Sequence, residues 1–414
     1  MNIGLDRARG DSRQPLQFPG REASAAANRF RHQIYADGPA APVYHRLKPL
    51  PGPTLASGEV RFRMRQIGET LRAANVAAIY LVQGAFAALD ASCVVAEFGR
   101  RHPTNRPAIE RVARQMLDPA AADAGNFTPR YADALESLLA GGGTPIPVRM
   151  LQWSGENHHL GRADAAVRLI DELASLELAP HRRVLIWGHG HAGNVFALAS
   201  NLLSGDSAAI QEFFAAAAIY YRLPLTGVVD VPVWQRVRGT LLDEPRRLAG
   251  RPLDFVTFGT PIRYGWDRRG YDGLLHFVNH RPVNGLPPHR AALPSRIGDI
   301  MQASGGDYLQ HIGVAGSDSA PSRFAWRAWL ADRKLQQLLE RDLCPSDLIE
   351  RLQLGNRVAD SGVTLLVDYG PPSANPAQHL AGHAVYTRGE WLLFHAEEIA
   401  QRLYGSAASG AIAA

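Results

Sequence analysis

The sequence predicts an α/β fold: a mostly parallel central sheet with helices on both faces and a cap-like insertion. Three observations carry this. Apolar runs at 77–82, 184–187, 253–258 and 363–367 are rich in branched and aromatic residues, and lack the polar alternation of half-solvated strands. Segments with apolar residues at helical spacing separate several of them, the βαβ rhythm of a parallel sheet. The chain has 414 residues, 46% hydrophobic and 20% charged, enough for one large domain with a sizeable core.

Residues 1–55 are rich in Arg, Pro, Ala and Gly, with prolines at 49, 51 and 53, and read as a loosely ordered arm. Residues 56–414 read as the folded domain. The strand at 77–82 runs into Gln83-Gly84-Ala85-Phe86. Helices are expected over 105–116 and 130–139, then a glycine break at 141–143 and a strand at 147–153. A polar loop, 154–159, leads to a helix over 162–176 and the strand at 184–187. A helix follows over 194–203. Residues 205–250 form an insertion of the kind that caps a pocket. Strands are expected at 253–258, 274–279, 312–318 and 363–368, helices over 324–352, apart from Pro345, and over 390–404.

The chain turns on Arg183-Val184-Leu185-Ile186-Trp187-Gly188-His189-Gly190-His191-Ala192-Gly193. A buried strand runs into a glycine-rich turn and then an apolar helix. The turn satisfies the bare pattern G-x-G-x-x-G, but a dinucleotide site also needs an acid at the end of the next strand, about 20 residues on. Asp206 and Glu212, the nearest acids, lie in a polar break and a helical run. No cofactor is expected.

The same stretch resembles the nucleophile elbow of the α/β-hydrolase superfamily, in its lipase- and esterase-like part. Gly84 after the strand at 77–82, Phe258-Gly259-Thr260-Pro261, a strand-terminal acid and His383 extend the resemblance over residues 75–404. It implies acyl-ester hydrolysis on a small-molecule ester, with a serine nucleophile, a histidine base and an orienting acid. Carried over residue by residue, the nucleophile position is Gly190, which has no side chain. His383 is the expected base, with His379 as fallback. The acid is Asp368 or Asp318, with Asp368 preferred because its strand is clearer. Gly84, Ala85 and Phe86 form the oxyanion loop, and His189 and His191 flank the nucleophile position. The expected activity is therefore absent or reduced, or the chain is a non-catalytic pseudo-hydrolase that binds an acyl ligand or a protein partner.

The bulk numbers exclude other classes. Net charge is +5, and Lys48 and Lys334 are the two lysines. No basic run interleaved with aromatics points to nucleic acid. Cys93 and Cys344 make neither a disulfide framework nor a metal pattern. Glu156, His158, His159, His189 and His191 form a histidine-rich corner without a recognised metal spacing, so no metal is expected. No apolar run is long enough to span a membrane, and the N-terminus lacks a signal-peptide core, so a cytoplasmic protein is expected.

Overall fold

A computed structural model describes residues 30, 43–84 and 126–411, apart from 180, 245–247, 249, 295, 317, 341–344 and 373–375. The elements, in chain order, begin with β1 (Tyr44–Leu47), α1 (Gly58–Ala73), β2 (Val76–Val82), α2 (Pro129–Ala140) and β3 (Val148–Leu151). Then come α3 (His159–Ser175), β4 (Arg183–His189), α4 (Ala192–Leu203), α5 (Ser207–Ala216), α6 (Ala218–Tyr221) and α7 (Pro232–Leu242). β5 (Leu253–Phe258), β6 (Gly273–Asn279), β7 (Arg290–Ala291), α8 (Ile297–Met301) and α9 (Tyr308–Ala315) follow. The chain closes with α10 (Trp326–Leu339), α11 (Pro345–Gln353), β8 (Gly355–Asn356), β9 (Val363–Val367), α12 (Pro376–His379) and α13 (Leu392–Ala411).

Seven strands form one sheet in the order β1-β9-β6-β5-β4-β2-β3, and every pairing is parallel. β7 and β8 make a separate antiparallel pair. The mostly apolar central strands β2, β4, β5, β6 and β9 follow from burial on both faces. Successive residues alternate between two cores. Tyr80, Val82, Val184, Ile186 and Phe255 face α3, α4, α5, α7 and α10. Leu81, Leu185, Trp187, Val256, Phe258 and Leu365 face α1, α2 and α13. Each such side chain contributes about 1.5–3 kcal/mol on leaving water, so the register of β4 is fixed from both sides. The α/β class with helices on both faces is as the sequence predicts.

One expected element changes type. The run 312–318 is not a strand: residues 308–315 are helix α9, opened by Asp307, whose carboxylate accepts from the Gln310 amide, and closed by Gly316 at φ 111°. A short apolar run cannot separate a strand from a buried helix, and here the capping residues decide. The N-terminal stretch supplies an edge strand, since β1 pairs with β9, and Phe30 is buried. Within 205–250, α5 to α7 pack on α3 and α10 as part of one core layer. The helix expected at 105–116 lies outside the described residues. Among the described residues no helix is long and apolar enough to cross a membrane.

Candidate functional site

The site is assembled at the carboxyl ends of β2, β4, β5 and β6, where parallel sheets present their loops. At the end of β4 the chain turns sharply. Gly190 has φ +52°, the left-handed region that penalises a Cβ. His191 is already helical and opens α4 with no side-chain cap. Two neighbouring glycines are required for space: a Cβ on Gly188 would enter the Phe196 ring, and one on Gly193 would enter the Thr260 side chain. The turn is also pinned by hydrogen bonds. The Gly190 amide donates to Phe258 O at 2.8 Å, and Thr260 Oγ1 donates to Gly190 O at 2.7 Å.

A Cβ built on Gly190 points at His383: its nearest atoms are His383 Nε2 at 3.1 Å and Gly84 Cα at 3.6 Å. Behind the imidazole stands a carboxylate. His383 Nδ1 lies 2.7 Å from Asp307 Oδ2, with Asp307 fully buried. Asp307 Oδ1 accepts from the Gln310 amide at 2.8 Å, and Oδ2 also accepts from the Tyr386 hydroxyl at 2.9 Å. Burial alone raises a carboxyl pKa; here the His383 imidazole, its hydrogen bond and Arg357 outweigh burial and hold Asp307 below the ordinary value. An anionic Asp307 fixes the Nδ1–H tautomer of His383 and turns Nε2 toward position 190. The loop before His383 is strained: Leu380, Ala381 and Gly382 have φ of 45°, 52° and 90°. It is tied by Asn279 Nδ2 donating to Gly382 O at 2.8 Å. Such strain persists only where the surroundings over-determine it.

The predicted residues divide as follows. Gly84, Gly190 and His383 come together. Ala85 and Phe86 lie outside the described residues, as does Cys93. His189 is fully buried beneath the turn. Its Nε2 donates to His383 O at 3.1 Å, its ring stands 4.3 Å from the His383 ring, and burial pushes its pKa down to about 3. It braces the His383 backbone from below. His191 Nδ1 faces Asn194 Nδ2 at 3.2 Å and Arg162 Nη1 at 3.5 Å. Burial, then Arg162, keep it neutral, so that nitrogen is an acceptor already engaged. His379 is buried in the 376–382 segment, and no hydrogen bond joins it to Asp307.

Neither expected acid reaches His383. Asp368, just past β9, binds Arg281 Nε at 3.1 Å and the Gly370 amide at 3.1 Å. It is a strand-end residue on the rim of the sheet. Asp318 lies beyond α9 in a buried ionic network: Arg162 at 3.0 and 3.1 Å, Arg263 at 3.0 and 3.2 Å, and His159 Nε2 at 3.1 Å. The acid in contact with His383 is Asp307, which sequence reasoning missed. Its signal was present, since Gly305-Gly306-Asp307 reads as a turn and an N-cap. Taking 312–318 for a strand hid it, because a strand has no use for a cap.

The histidine-rich corner divides into several roles, and His158 also lies 3.7 Å from Glu156. His158 caps α3 by accepting from the Gly161 amide at 2.9 Å, and His159 Nδ1 meets Tyr264 Oη at 2.8 Å. Among the described residues the one trio of His, Cys, Asp or Glu close enough to share an ion is His159, Asp318 and Glu340. It does not fit a metal. Arg162 and Arg263 hold both Asp318 oxygens, Arg263 also binds Glu340, and these buried guanidinium groups already supply the countercharge.

No protein-family model, curated protein or solved structure matches this chain.

Proposed function

We propose that this chain is an α/β-hydrolase-type scaffold of the lipase and esterase kind that keeps its base and acid and lacks its nucleophile. The reading rests on one observation: Gly190 turns at φ +52°, and its Cβ direction meets His383 Nε2 at 3.1 Å. A serine there would carry its hydroxyl toward an imidazole whose other nitrogen is held by Asp307, the relation in which a hydroxyl is activated for acyl transfer. The start of α4, uncapped by any side chain, offers amides to a developing oxyanion. His383 takes the base role and Asp307 the orienting role in place of Asp368 or Asp318. The ligand class that suits this machinery is a small acyl ester. Because Gly190 cannot form an acyl-enzyme, turnover by the chain is absent or strongly reduced. The same missing side chain favours the second reading, a non-catalytic binder of an acyl ligand.

The test is p-nitrophenyl ester hydrolysis over a range of acyl lengths, for the chain and for Gly190→Ser, each with and without His383→Ala. The expected result is activity created by Gly190→Ser and abolished by His383→Ala. Turnover by the unaltered chain would show another nucleophile at work. A folded Gly190→Ser protein inactive on every ester would overturn the hydrolase reading in favour of the binder.

A further inference from the structure

Tyr386 is buried against the acid and has one proton to give. Its hydroxyl accepts from the Asn279 amide at 2.7 Å and lies 2.9 Å from Asp307 Oδ2. Since the amide can only donate, the phenolic proton is committed to the carboxylate. The oxygen that receives it is the one bound to His383 Nδ1 at 2.7 Å. The chain makes room for this arrangement with Gly259, at φ +59°, where a Cβ would stand 2.5 Å from the Tyr386 ring and 2.6 Å from Asp307 Oδ2. Gly259 belongs to the Phe258-Gly259-Thr260-Pro261 stretch, whose Thr260 pins the Gly190 carbonyl. One turn therefore holds both the elbow and the acid.

We infer that Tyr386 is a positioning residue of the His383–Asp307 pair: its hydroxyl draws charge from the carboxylate oxygen that His383 binds and so lowers the basicity of the imidazole. This rests on the pairing proposed above. Among the described residues, these charged and titratable groups face His383. Asp307 lies on Nδ1, and Tyr386 and His189 are against the ring. His191 is close enough to feel its charge, and Arg357 stands behind Asp307, donating to the Asp307 carbonyl. His189 and His191 are held neutral by burial, and burial and Asp307 push the Tyr386 hydroxyl well above its ordinary pKa. All three stay uncharged near neutral pH. Removing the phenolic donor leaves more negative charge on Asp307 Oδ2, which favours imidazolium.

The experiment is an NMR titration of the His383 Cε1–H in the unaltered chain, assigned with His383→Gln, and repeated in Tyr386→Phe and Asp307→Asn. Tyr386→Phe is expected to raise the His383 midpoint by about half a pH unit, and Asp307→Asn to lower it. A midpoint unmoved or lowered by Tyr386→Phe, with Asp307→Asn effective, overturns the role of Tyr386. A midpoint unmoved by Asp307→Asn overturns the pairing itself. Fluorotyrosine incorporation gives a second measurement that leaves the packing in place. A more acidic phenol donates more strongly, so the midpoint is expected to fall, and a rise counts against the inference. Catalysis is not needed for any of these readouts. An inactive Gly190→Ser protein with the expected shifts would remove the hydrolase reading and leave the Tyr386 inference standing.

Discussion

At position 190 the backbone turns in the left-handed region, at φ +52°, without a side chain. The left-handed φ costs a non-glycine residue about 1 kcal/mol, while the nearest atoms to a new Cβ are an imidazole nitrogen and a glycine Cα, not a packed wall. Gly190→Ser is therefore expected to lower stability by about 1 kcal/mol and to leave the fold intact, as measured by urea denaturation. Sequence reasoning offered Asp368 or Asp318 for the one role of orienting acid, whereas Asp307 meets His383 and the other two bind arginines. In the Gly190→Ser background, Asp307→Asn should cut kcat by orders of magnitude, since a triad acid made neutral typically costs about 10⁴. Asp368→Asn should change stability by about 1 kcal/mol or less, the usual worth of a partly exposed pair. Asp318→Asn should destabilise by about 3–5 kcal/mol, because it strands Arg162 and Arg263 in the interior. Parallel denaturation curves and rate measurements separate the three. If Asp368→Asn or Asp318→Asn abolished activity without unfolding the chain while Asp307→Asn did not, the assignment of the acid would fail.

At the scale of elements, the strand–turn–helix of β4 and α4 is held by close approach more than by propensity. Gly193 is the second residue of α4, and alanine is the better helix former. Its Cβ, however, would enter the Thr260 side chain that anchors the Gly190 carbonyl. Overpacking of this kind costs about 1–3 kcal/mol, so packing outweighs propensity. Gly193→Ala is expected to lower the urea midpoint, and an unchanged or raised midpoint would show that Thr260 swings aside freely. The element scale also shows what sequence reading reaches. The strands at 77–82, 184–187, 253–258, 274–279 and 363–367 were legible because burial on both faces leaves a mostly apolar run without regular polar alternation. Helix α9 was not, because eight residues with buried faces carry no distinguishing period, and its evidence lay in the capping residues Asp307 and Gly316.

At the scale of the whole molecule, the interior stores several neutral histidines. Burial pushes His189, His280 and His395 down to about 3 and His311 to about 4. Their unfolded value is about 6.5, so below it the unfolded chain binds protons that the folded chain refuses. Each group then removes about 1.4 kcal/mol of stability per pH unit as pH falls from 6.5 toward its folded value. Asp307 acts at lower pH. Its depressed pKa contributes stability above the ordinary carboxylate range, and that contribution is lost on acidification through the folded value. The thermal midpoint is expected to fall steeply between pH 6.5 and 4, and His395→Phe, at a site buried among Phe258, Phe277 and Phe394, should flatten the slope. A midpoint flat across that window would contradict the buried neutral histidines.

What the sequence determined by itself was local and periodic. Apolar runs without alternation dictate a doubly covered parallel sheet, and glycines at 188, 190 and 193 dictate a tight strand-to-helix turn with no side chain at its apex. What only the tertiary structure decided was long-range partnership. His383 and Asp307 lie 76 residues apart along the chain. Their pairing depends on a loop that leaves β6, caps a helix and returns beneath Tyr386. Such contacts leave no mark in periodicity or composition, because a buried carboxylate is selected by the shape and charge that other segments bring to it.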